Sequence, residues 1–177
     1  YALALYRYKG SDQVFLLFFI TRVIPPQFLW LPFVIFFTKL GLLNTRPAVI
    51  IYSIVLVYPL SIWMLKGLFD NFPREIVDSS LIDGSSNFGS LFRVVIPIIA
   101  PGVSAVSIVA FLWTWADFMF PYLIINNPSL YPITVGIYYF IGDEGVIWNS
   151  LAAAEVMAML PGIIFFTIAQ KHIVKGL

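Results

Sequence analysis

Two charged side chains, Arg22 and Glu155, lie inside long apolar stretches of this 177-residue chain. A charged group in the hydrocarbon of a bilayer is costly, so it tends to face other protein or water. Both are therefore candidates for contact with a polar solute or an ion that crosses a membrane, as is Gln27 after Pro25-Pro26. Arg22 could instead extend its head group to the lipid surface, and Glu155 lies close enough to the end of its stretch to be interfacial.

A second group of polar and aromatic side chains stands at the end of another apolar stretch. Trp113, Trp115 and Asp117 follow one another at two-residue spacing. Sugars are bound by aromatic rings and by hydrogen bonds to their hydroxyls, and this group offers both. Because tryptophan is also enriched where helices meet the membrane surface, anchoring is the competing interpretation, and the sequence leaves the two open.

The residue inventory argues against enzymatic chemistry. The chain has no cysteine and a single histidine, His172, which excludes thiolate and multi-histidine metal sites. It also lacks a G-x-x-x-x-G-K-[ST] phosphate loop, a paired-histidine metal motif and a G-x-S-x-G nucleophile motif. We therefore expect a non-catalytic chain without a cofactor of its own.

The composition is that of a membrane protein. Hydrophobic residues make up 60% of the chain and charged residues only 11%, against about 25% in soluble domains. The formal net charge of +1 gives no overall field for nucleic acid. Four apolar stretches approach the roughly 20 residues that a spanning helix needs. They are residues 14–37, 48–65, 94–116 and 151–169.

These stretches predict an all-α, polytopic membrane protein with about four transmembrane helices in one domain over residues 1–177. Residues 1–8 are predicted to end a preceding helix, and a start without methionine indicates an N-terminally truncated chain. Residues 131–150 are too interrupted to cross and are predicted to form a short helix and a loop.

Lysine and arginine positions predict the orientation. Cytoplasmic segments of membrane proteins are enriched in these residues. If both chain ends are cytoplasmic, the inner segments hold most of the basic residues: Arg7, Lys9, Lys66, Arg74, Arg93, Lys171 and Lys175. Residues 117–150, which contain no lysine or arginine, then lie outside, with the acidic Asp117, Asp143 and Glu144. The connection 66–93 is therefore predicted to be cytoplasmic.

That connection holds seven of the nineteen charged residues. Phe72-Pro73 can open a helix, and Glu75 and Asp78 suit the positive end of its dipole. Apolar residues recur at helical spacing, and Gly84 is placed to end the helix in a left-handed conformation. The apolar positions are Ile76, Val77 and Leu81. A short amphipathic helix at the membrane surface is the prediction.

From Asp78 the chain reads Asp78-Ser79-Ser80, three residues, Gly84, nine residues, then Val94-Val95-Ile96-Pro97. This spacing resembles the cytoplasmic signature E-A-A-x3-G-x9-I-x-L-P of binding-protein-dependent ABC importer permeases. The phrases FPREIVDSSLIDGSS, YALALYRYKG, KLGLLNT, WTWADFMFP and LPGIIFFTIAQKHIVKGL also resemble, in the same order, those of carbohydrate permeases of the maltose-transporter (MalG-like) type.

The resemblance is not complete. Asp78 stands where the family has glutamate, and Ser79 and Ser80 replace two alanines, which lowers helix propensity and adds hydroxyls. Ser85 replaces another small residue. The acid, the turn glycine and the proline are all retained.

The resemblance implies that the 66–93 loop contains a coupling helix that docks on a separate ATPase subunit, with Gly84 setting the bend and Pro97 starting the third span. The implied coupling residues are Glu75, Asp78, Ser79, Ser80, Asp83, Gly84 and Pro97. The candidate translocation path is Arg22, Gln27, Trp113, Trp115, Asp117 and Glu155.

The implied assembly adds a second permease subunit, two ATPase subunits that bind ATP and Mg, and an extracellular solute-binding protein. The implied place is a prokaryotic cytoplasmic membrane, and the expected cargo is a neutral sugar. The alternative is an ion-gradient-driven transporter with Arg22, Asp117 and Glu155 as charge relay, which would have no need of the coupling signature. A membrane-embedded enzyme lacks a catalytic motif, and a scaffold would leave the signature unexplained.

Overall fold

The computed structural model describes residues 1–6, 9–142 and 145–174, and its regular structure is almost entirely helical. The α-helices are α1 Ser11–Ile20, α2 Gln27–Lys39, α3 Arg46–Asp70, α4 Arg74–Ile82, α5 Asn87–Ser90, α6 Ile96–Trp115, α7 Met119–Ile124, α8 Ile133–Tyr138 and α9 Trp148–Val174. π-Helical turns cover Ala2–Tyr6 and Leu91–Val95, and a 3-10 turn covers Pro128–Leu130. Two-residue strands, β1 Ile141–Gly142 and β2 Gly145–Val146, pair antiparallel. The all-α prediction is confirmed.

Among the described residues, three helices are long and apolar enough to cross a membrane: Arg46–Asp70, Asn87–Trp115 and Trp148–Gln170. They correspond to three of the four predicted spans. Few of their side chains are buried within the chain, so most of their apolar surface is available to lipid or to other subunits.

The first apolar stretch, residues 14–37, is not one helix, and the prediction of a continuous span there is wrong. α1 ends at Ile20 and α2 begins at Gln27, and each is shorter than the roughly 20 residues that a span requires. Pro25 and Pro26 have no backbone N–H to donate, and a proline disfavours the helical conformation at the residue before it.

The third span begins earlier than predicted. The helical stretch runs from Asn87 to Trp115, so Pro97 lies inside it and does not start it. The π-turn Leu91–Val95 precedes Pro97, and the Ile96 N–H donates to the Leu91 carbonyl five residues back. A proline ring clashes with the carbonyl four residues before it, and a widened turn relieves such a clash.

The chain forms two compact units. The first unit comprises Tyr1–Val23, Pro59–Val109 and Thr167–Leu177, and the second comprises Ile24–Tyr58 and Ala110–Phe166. All segments predicted to be cytoplasmic belong to the first unit, whereas residues 117–150 belong to the second. This grouping agrees with the predicted orientation, which itself stays a prediction. Four of the charged residues on which it rests lie outside the described residues: Arg7, Asp143, Glu144 and Lys175.

An aromatic cluster forms the core of the second unit. The Tyr52 ring of α3 stacks on the Phe120 ring of α7, with centroids 3.6 Å apart and planes 16° apart. Phe33 and Phe37 of α2 meet Phe120 edge-on at 6.1 and 6.2 Å. Stacked and edge-to-face aromatic pairs each add about 0.5–1.5 kcal/mol beyond burial of their area. The cluster thereby fixes the short α7 against α2 and α3.

Asn44, in the loop between α2 and α3, joins this loop to the chain after α7. Its backbone N–H donates to the Ile124 carbonyl at 2.9 Å. Its Oδ1 accepts from the backbone N–H groups of Asn126 and Asn127, both at 2.9 Å. Asn44 has φ +58°, a left-handed conformation that asparagine, aspartate and glycine adopt most readily.

Substitutions at Asn44 separate its acceptor from its backbone conformation. Asn44→Gly keeps the left-handed backbone but removes the acceptor, so we expect the free energy of unfolding to fall by about 1–2 kcal/mol for two lost hydrogen bonds. Asn44→Asp keeps both properties, and we expect a change within about 0.5 kcal/mol. Thermal unfolding in detergent measures both, and equal destabilisation by the two variants would contradict this role.

Candidate functional site

The helix predicted in the 66–93 connection is present as α4, directly after Phe72-Pro73. Its inner face packs into the core of the first unit, where Val77 joins Phe69, Phe72 and Val95 among the buried side chains. α4 is therefore held against the end of α3 and the π-turn that precedes α6. The amphipathic prediction for this helix is confirmed.

α4 ends at Ile82, and Gly84, which follows the C-cap residue Asp83, has the left-handed conformation that the sequence predicts. Gly84 has φ +88°. Its N–H donates to the Leu81 carbonyl at 3.0 Å, and the Ser85 N–H donates to the Ser80 carbonyl at 3.0 Å. This pair of bonds is the Schellman arrangement. No atom lies within 4 Å of a Cβ built on Gly84, so the backbone conformation, and not lack of space, favours glycine here.

The exposed side chains of α4, of its C-cap residue Asp83 and of α5 include acids and large apolar groups. We call Glu75, Asp78, Ile82, Asp83 and Phe88 the exposed patch, since all five are exposed. Ile82 and Phe88 are 85% and 75% exposed. Apolar side chains this exposed within a polar segment are typical of a protein interface. The exposed patch is thus suited to a partner with apolar and basic groups.

The two serines in the signature have different surroundings. Ser79 is exposed, and its hydroxyl donates to the Glu75 carbonyl of the same helix at 2.7 Å. Ser80 is buried, and its hydroxyl contacts the Val77 carbonyl at 2.7 Å and the buried Ser90 hydroxyl at 2.6 Å. The sequence did not single out Ser90, because its role depends on α5 folding back against α4.

Asp117 lies between α6 and α7, in the second unit. The Phe120 N–H donates to its carboxylate, and its backbone carbonyl accepts from the Thr134 hydroxyl at 2.9 Å. Oδ2 is buried and has no hydrogen-bond partner among the described residues. Desolvation raises the pKa of Asp117, and the Phe120 N–H opposes this shift because it stabilises the charged form.

Two side chains of the aromatic core form a hydrogen bond with each other. The Trp30 Nε1–H donates to the Tyr52 hydroxyl at 3.1 Å. Trp30, Tyr52 and Thr134 were not predicted from the sequence, because they come from three other elements. The Trp30 N–H and the Thr134 hydroxyl are both used in hydrogen bonds within the chain.

The two predicted tryptophans have different roles in the fold. The Trp115 Nε1–H donates to the Ala158 carbonyl at 3.0 Å, and its ring stacks on Phe111 at 5.4 Å. Phe111 in turn stacks on Phe165 at 4.4 Å. Trp115 therefore joins α6 to α9 through both its ring and its polar atom. Trp113 is 45% exposed.

The remaining path candidates lie on three other elements. Arg22 is half-buried in the turn after α1, and its backbone N–H donates to the Phe19 carbonyl. Gln27 is exposed as the first residue of α2, and Glu155 is exposed on α9. The part of the chain that the structure describes contains no group of three or more histidine, aspartate and glutamate side chains placed to hold a metal ion. A role of these residues in translocation stays a prediction.

Residues 2–177 match the family described as binding-protein-dependent transport system inner membrane component. Among similar proteins are the arabinooligosaccharide permease AraQ of Halalkalibacterium halodurans, 31% identical over all 177 residues, and the sulfoquinovosyl glycerol permease SmoH of Agrobacterium fabrum, 33% identical over the same length. The chain covers 63% and 62% of their lengths. The trehalose/maltose permease MalG of Thermococcus litoralis is 33% identical over 143 residues, which are 80% of this chain and 51% of that protein.

The fold also resembles a solved structure of a bacterial ABC transporter involved in the import of the acidic polysaccharide alginate. The TM-score is 0.77 at 19% sequence identity, and the similarity covers 96% of this chain and 64% of the other. At this identity the comparison supports the fold alone. The chain spans less than two thirds of the length of these relatives.

The raised pKa of Asp117 predicts a dependence of stability on pH. Between the unfolded-state pKa of about 3.9 and the raised folded-state value, the folded chain binds more protons than the unfolded chain, so its stability falls as the pH rises. An asparagine at this position would carry no charge, so we expect Asp117→Asn to raise the melting temperature at pH 7 and to lose this advantage near pH 4. If Asp117→Asn raised the melting temperature equally at pH 7 and at pH 4, the raised pKa of Asp117 would not be the cause.

Proposed function

Because the chain belongs to the family of inner membrane components of binding-protein-dependent transport systems, we propose that it acts as the permease subunit of an ATP-driven importer that moves a di- or oligosaccharide across the cytoplasmic membrane. The observation that carries this proposal is the family match over residues 2–177. It is supported by relatives named as sugar permeases and by a solved ABC importer of similar fold.

The cargo is a neutral sugar in this proposal. The relatives named for arabinooligosaccharides and trehalose/maltose handle neutral sugars, whereas sulfoquinovosyl glycerol, for which another relative is named, carries an anionic sulfonate. All of these molecules carry several hydroxyls. Trp113 and Asp117 supply the aromatic and acceptor groups that hydroxyl-rich molecules require. Arg22 is the only basic candidate in the path, which favours an uncharged cargo over a phosphorylated one.

ATP is bound outside this chain, since the sequence has no phosphate loop. Two ATPase subunits bind ATP and Mg, and the exposed patch on α4 docks on one of them. A second permease completes the membrane domain, and an extracellular binding protein delivers the sugar to the side that contains residues 117–150. Alternating access then requires that ATP and the loaded binding protein each favour one state of the assembly over the other.

The proposed orientation has α4 and the C-terminus in the cytoplasm of a prokaryotic cell. The distribution of lysine and arginine supports it, because inner segments hold most of these residues. The grouping of Tyr1–Val23 with Pro59–Val109 in one unit also agrees with it.

Uptake by the assembled importer in proteoliposomes tests this function against the ion-gradient alternative. Arabinotriose, maltose, trehalose and sulfoquinovosyl glycerol are suitable radiolabelled probes, because the relatives are named for these sugars or their class. We expect uptake of at least one probe to need ATP and the binding protein, and to continue when ionophores collapse the ion gradients. Uptake that stops with the ionophores while ATP is present would support the alternative.

Substitutions on α4 are expected to uncouple transport from ATP hydrolysis. Gly84→Pro removes the N–H that donates to Leu81, and proline cannot adopt φ +88°. Asp78→Arg reverses a charge of the exposed patch. For both variants we expect the sugar moved per ATP to fall at least about tenfold, the effect of about 1.4 kcal/mol of lost coupling.

Two matched controls accompany this experiment. Asp12→Arg changes an exposed acid of α1 outside the exposed patch, and Gly67→Ala changes a glycine of α3 with no atom within 4 Å of its added Cβ. Both controls should leave uptake and membrane insertion unchanged. Normal uptake with normal sugar-stimulated ATPase activity in Gly84→Pro and Asp78→Arg would exclude the coupling role.

A further inference from the structure

A buried pair of serines links α4 to the long helix that follows it. Ser80 on α4 is 7% exposed and Ser90 at the end of α5 is fully buried. Their hydroxyl oxygens are 2.6 Å apart, although ten residues separate them in the chain. Ser90 is one of the nine residues between Gly84 and Val94 whose identity the signature does not specify.

The Ser80 hydroxyl has two acceptors within hydrogen-bond distance. Its oxygen lies 2.7 Å from the Val77 carbonyl and 2.6 Å from the Ser90 hydroxyl, which accepts from it. The single proton of Ser80 is therefore shared between a bond within α4 and a bond to Ser90. The pair is shielded from water. If the bond breaks, neither hydroxyl can bond to water instead, so the cost of an unpaired buried polar group opposes the separation of Ser80 from Ser90.

The surroundings of the pair restrict movement between the two helices. Val77 of α4 and Val95 of the π-turn belong to the same buried apolar cluster. On the other side, the Ser86 hydroxyl accepts from the Gly89 N–H at 3.1 Å, and the Ser90 N–H donates to the Ser86 carbonyl at 2.8 Å. Ser90 is therefore held by its own helix start while it contacts α4.

We propose that the Ser80–Ser90 bond is a latch that makes α4 and the helix Asn87–Trp115 move as one rigid body. When an ATPase subunit displaces α4, the following membrane-spanning helix would then move with it, and the turn at Gly84 would not absorb the displacement. Ser80 and Ser90 are positioning residues in this scheme, since both act inside the chain. The inference rests on the proposed function, because it assumes that α4 is the docking element.

Alanine substitutions test the latch in the assembled importer. Ser80→Ala and Ser90→Ala should each lower the number of probe molecules moved per ATP by about fivefold, the ratio that corresponds to about 1 kcal/mol, with an unchanged KM for ATP. The double variant should show no further loss, because the same bond is removed. The probes are radiolabelled arabinotriose, maltose and trehalose, offered together.

Ser79→Ala is the matched control, because its hydroxyl bonds only within α4 and is exposed. It should transport like the unmodified chain, and all variants should be present in the membrane in equal amounts. A loss with Ser79→Ala equal to that of the other two would overturn the latch, as would full coupling in both Ser80→Ala and Ser90→Ala.

A disulfide at the same place distinguishes a rigid joint from a hinge. The chain has no native cysteine, so the double variant Ser80→Cys/Ser90→Cys contains a single pair that can oxidise. Oxygens 2.6 Å apart place the two positions within reach of a disulfide. We expect the pair to oxidise at the same rate without nucleotide and with ADP and vanadate trapped after ATP hydrolysis, and the oxidised importer to keep its ATP-driven uptake.

Slower oxidation in the vanadate-trapped state, or uptake that is lost on oxidation and restored by reduction, would show that the joint has to open and would overturn the latch. The oxidation rates need no transported sugar. An unmodified importer without ATP-driven uptake would contradict the proposed function, whereas an active importer that is insensitive to the alanine variants would contradict the latch alone.

Discussion

Water is absent from the hydrocarbon region of a bilayer, so each backbone N–H and C=O group has to find its partner within the protein. The three long helices meet this requirement through their own hydrogen bonds and continue through Pro59, Pro101 and Pro161. Serine and threonine hydroxyls in α6 add bonds to carbonyls four residues back, as Ser104 does to Ala100. Within the four predicted apolar stretches, Pro25 and Pro26 are the prolines that lie between two helices, α1 and α2.

In the short segments between helices, side chains replace the missing helical partners of the backbone. Asn44 bonds the backbone of residues 126 and 127, and Asn127 accepts from the Ser129 N–H. The Thr134 hydroxyl donates to the Asp117 carbonyl. These bonds fix α7 and Asp117 beside the aromatic cluster. Asp117, a candidate path residue, is thus positioned by hydrogen bonds that satisfy backbone groups.

The 66–93 connection, for which a coupling role is proposed, combines an inner face that packs within the chain with an outer face that is exposed. Val77 and Ser80 attach α4 to the apolar cluster and to Ser90, while Asp78 and Ile82 remain exposed. A docking helix needs both faces. The partner binds the exposed face, and the packed face transmits the movement to the membrane-spanning helices. The adjacent residues Ser79 and Ser80 illustrate the division between the two faces.

The sequence by itself determined those features that depend on composition, local periodicity and single-residue conformational preference. These include the all-α membrane class, three of the spans, the extent of α4 and the left-handed conformation of Gly84 after it, and the family resemblance. The tertiary structure decided the features that depend on residues far apart in the chain. The Asn44 bonds to residues 126 and 127 and the Trp115 bond to Ala158 could not be predicted, because only packing brings their elements together. Ser90 could not be singled out for the same reason. Pro97 was predicted to start the third span, because local rules do not show that a π-turn lets a helix continue past a proline.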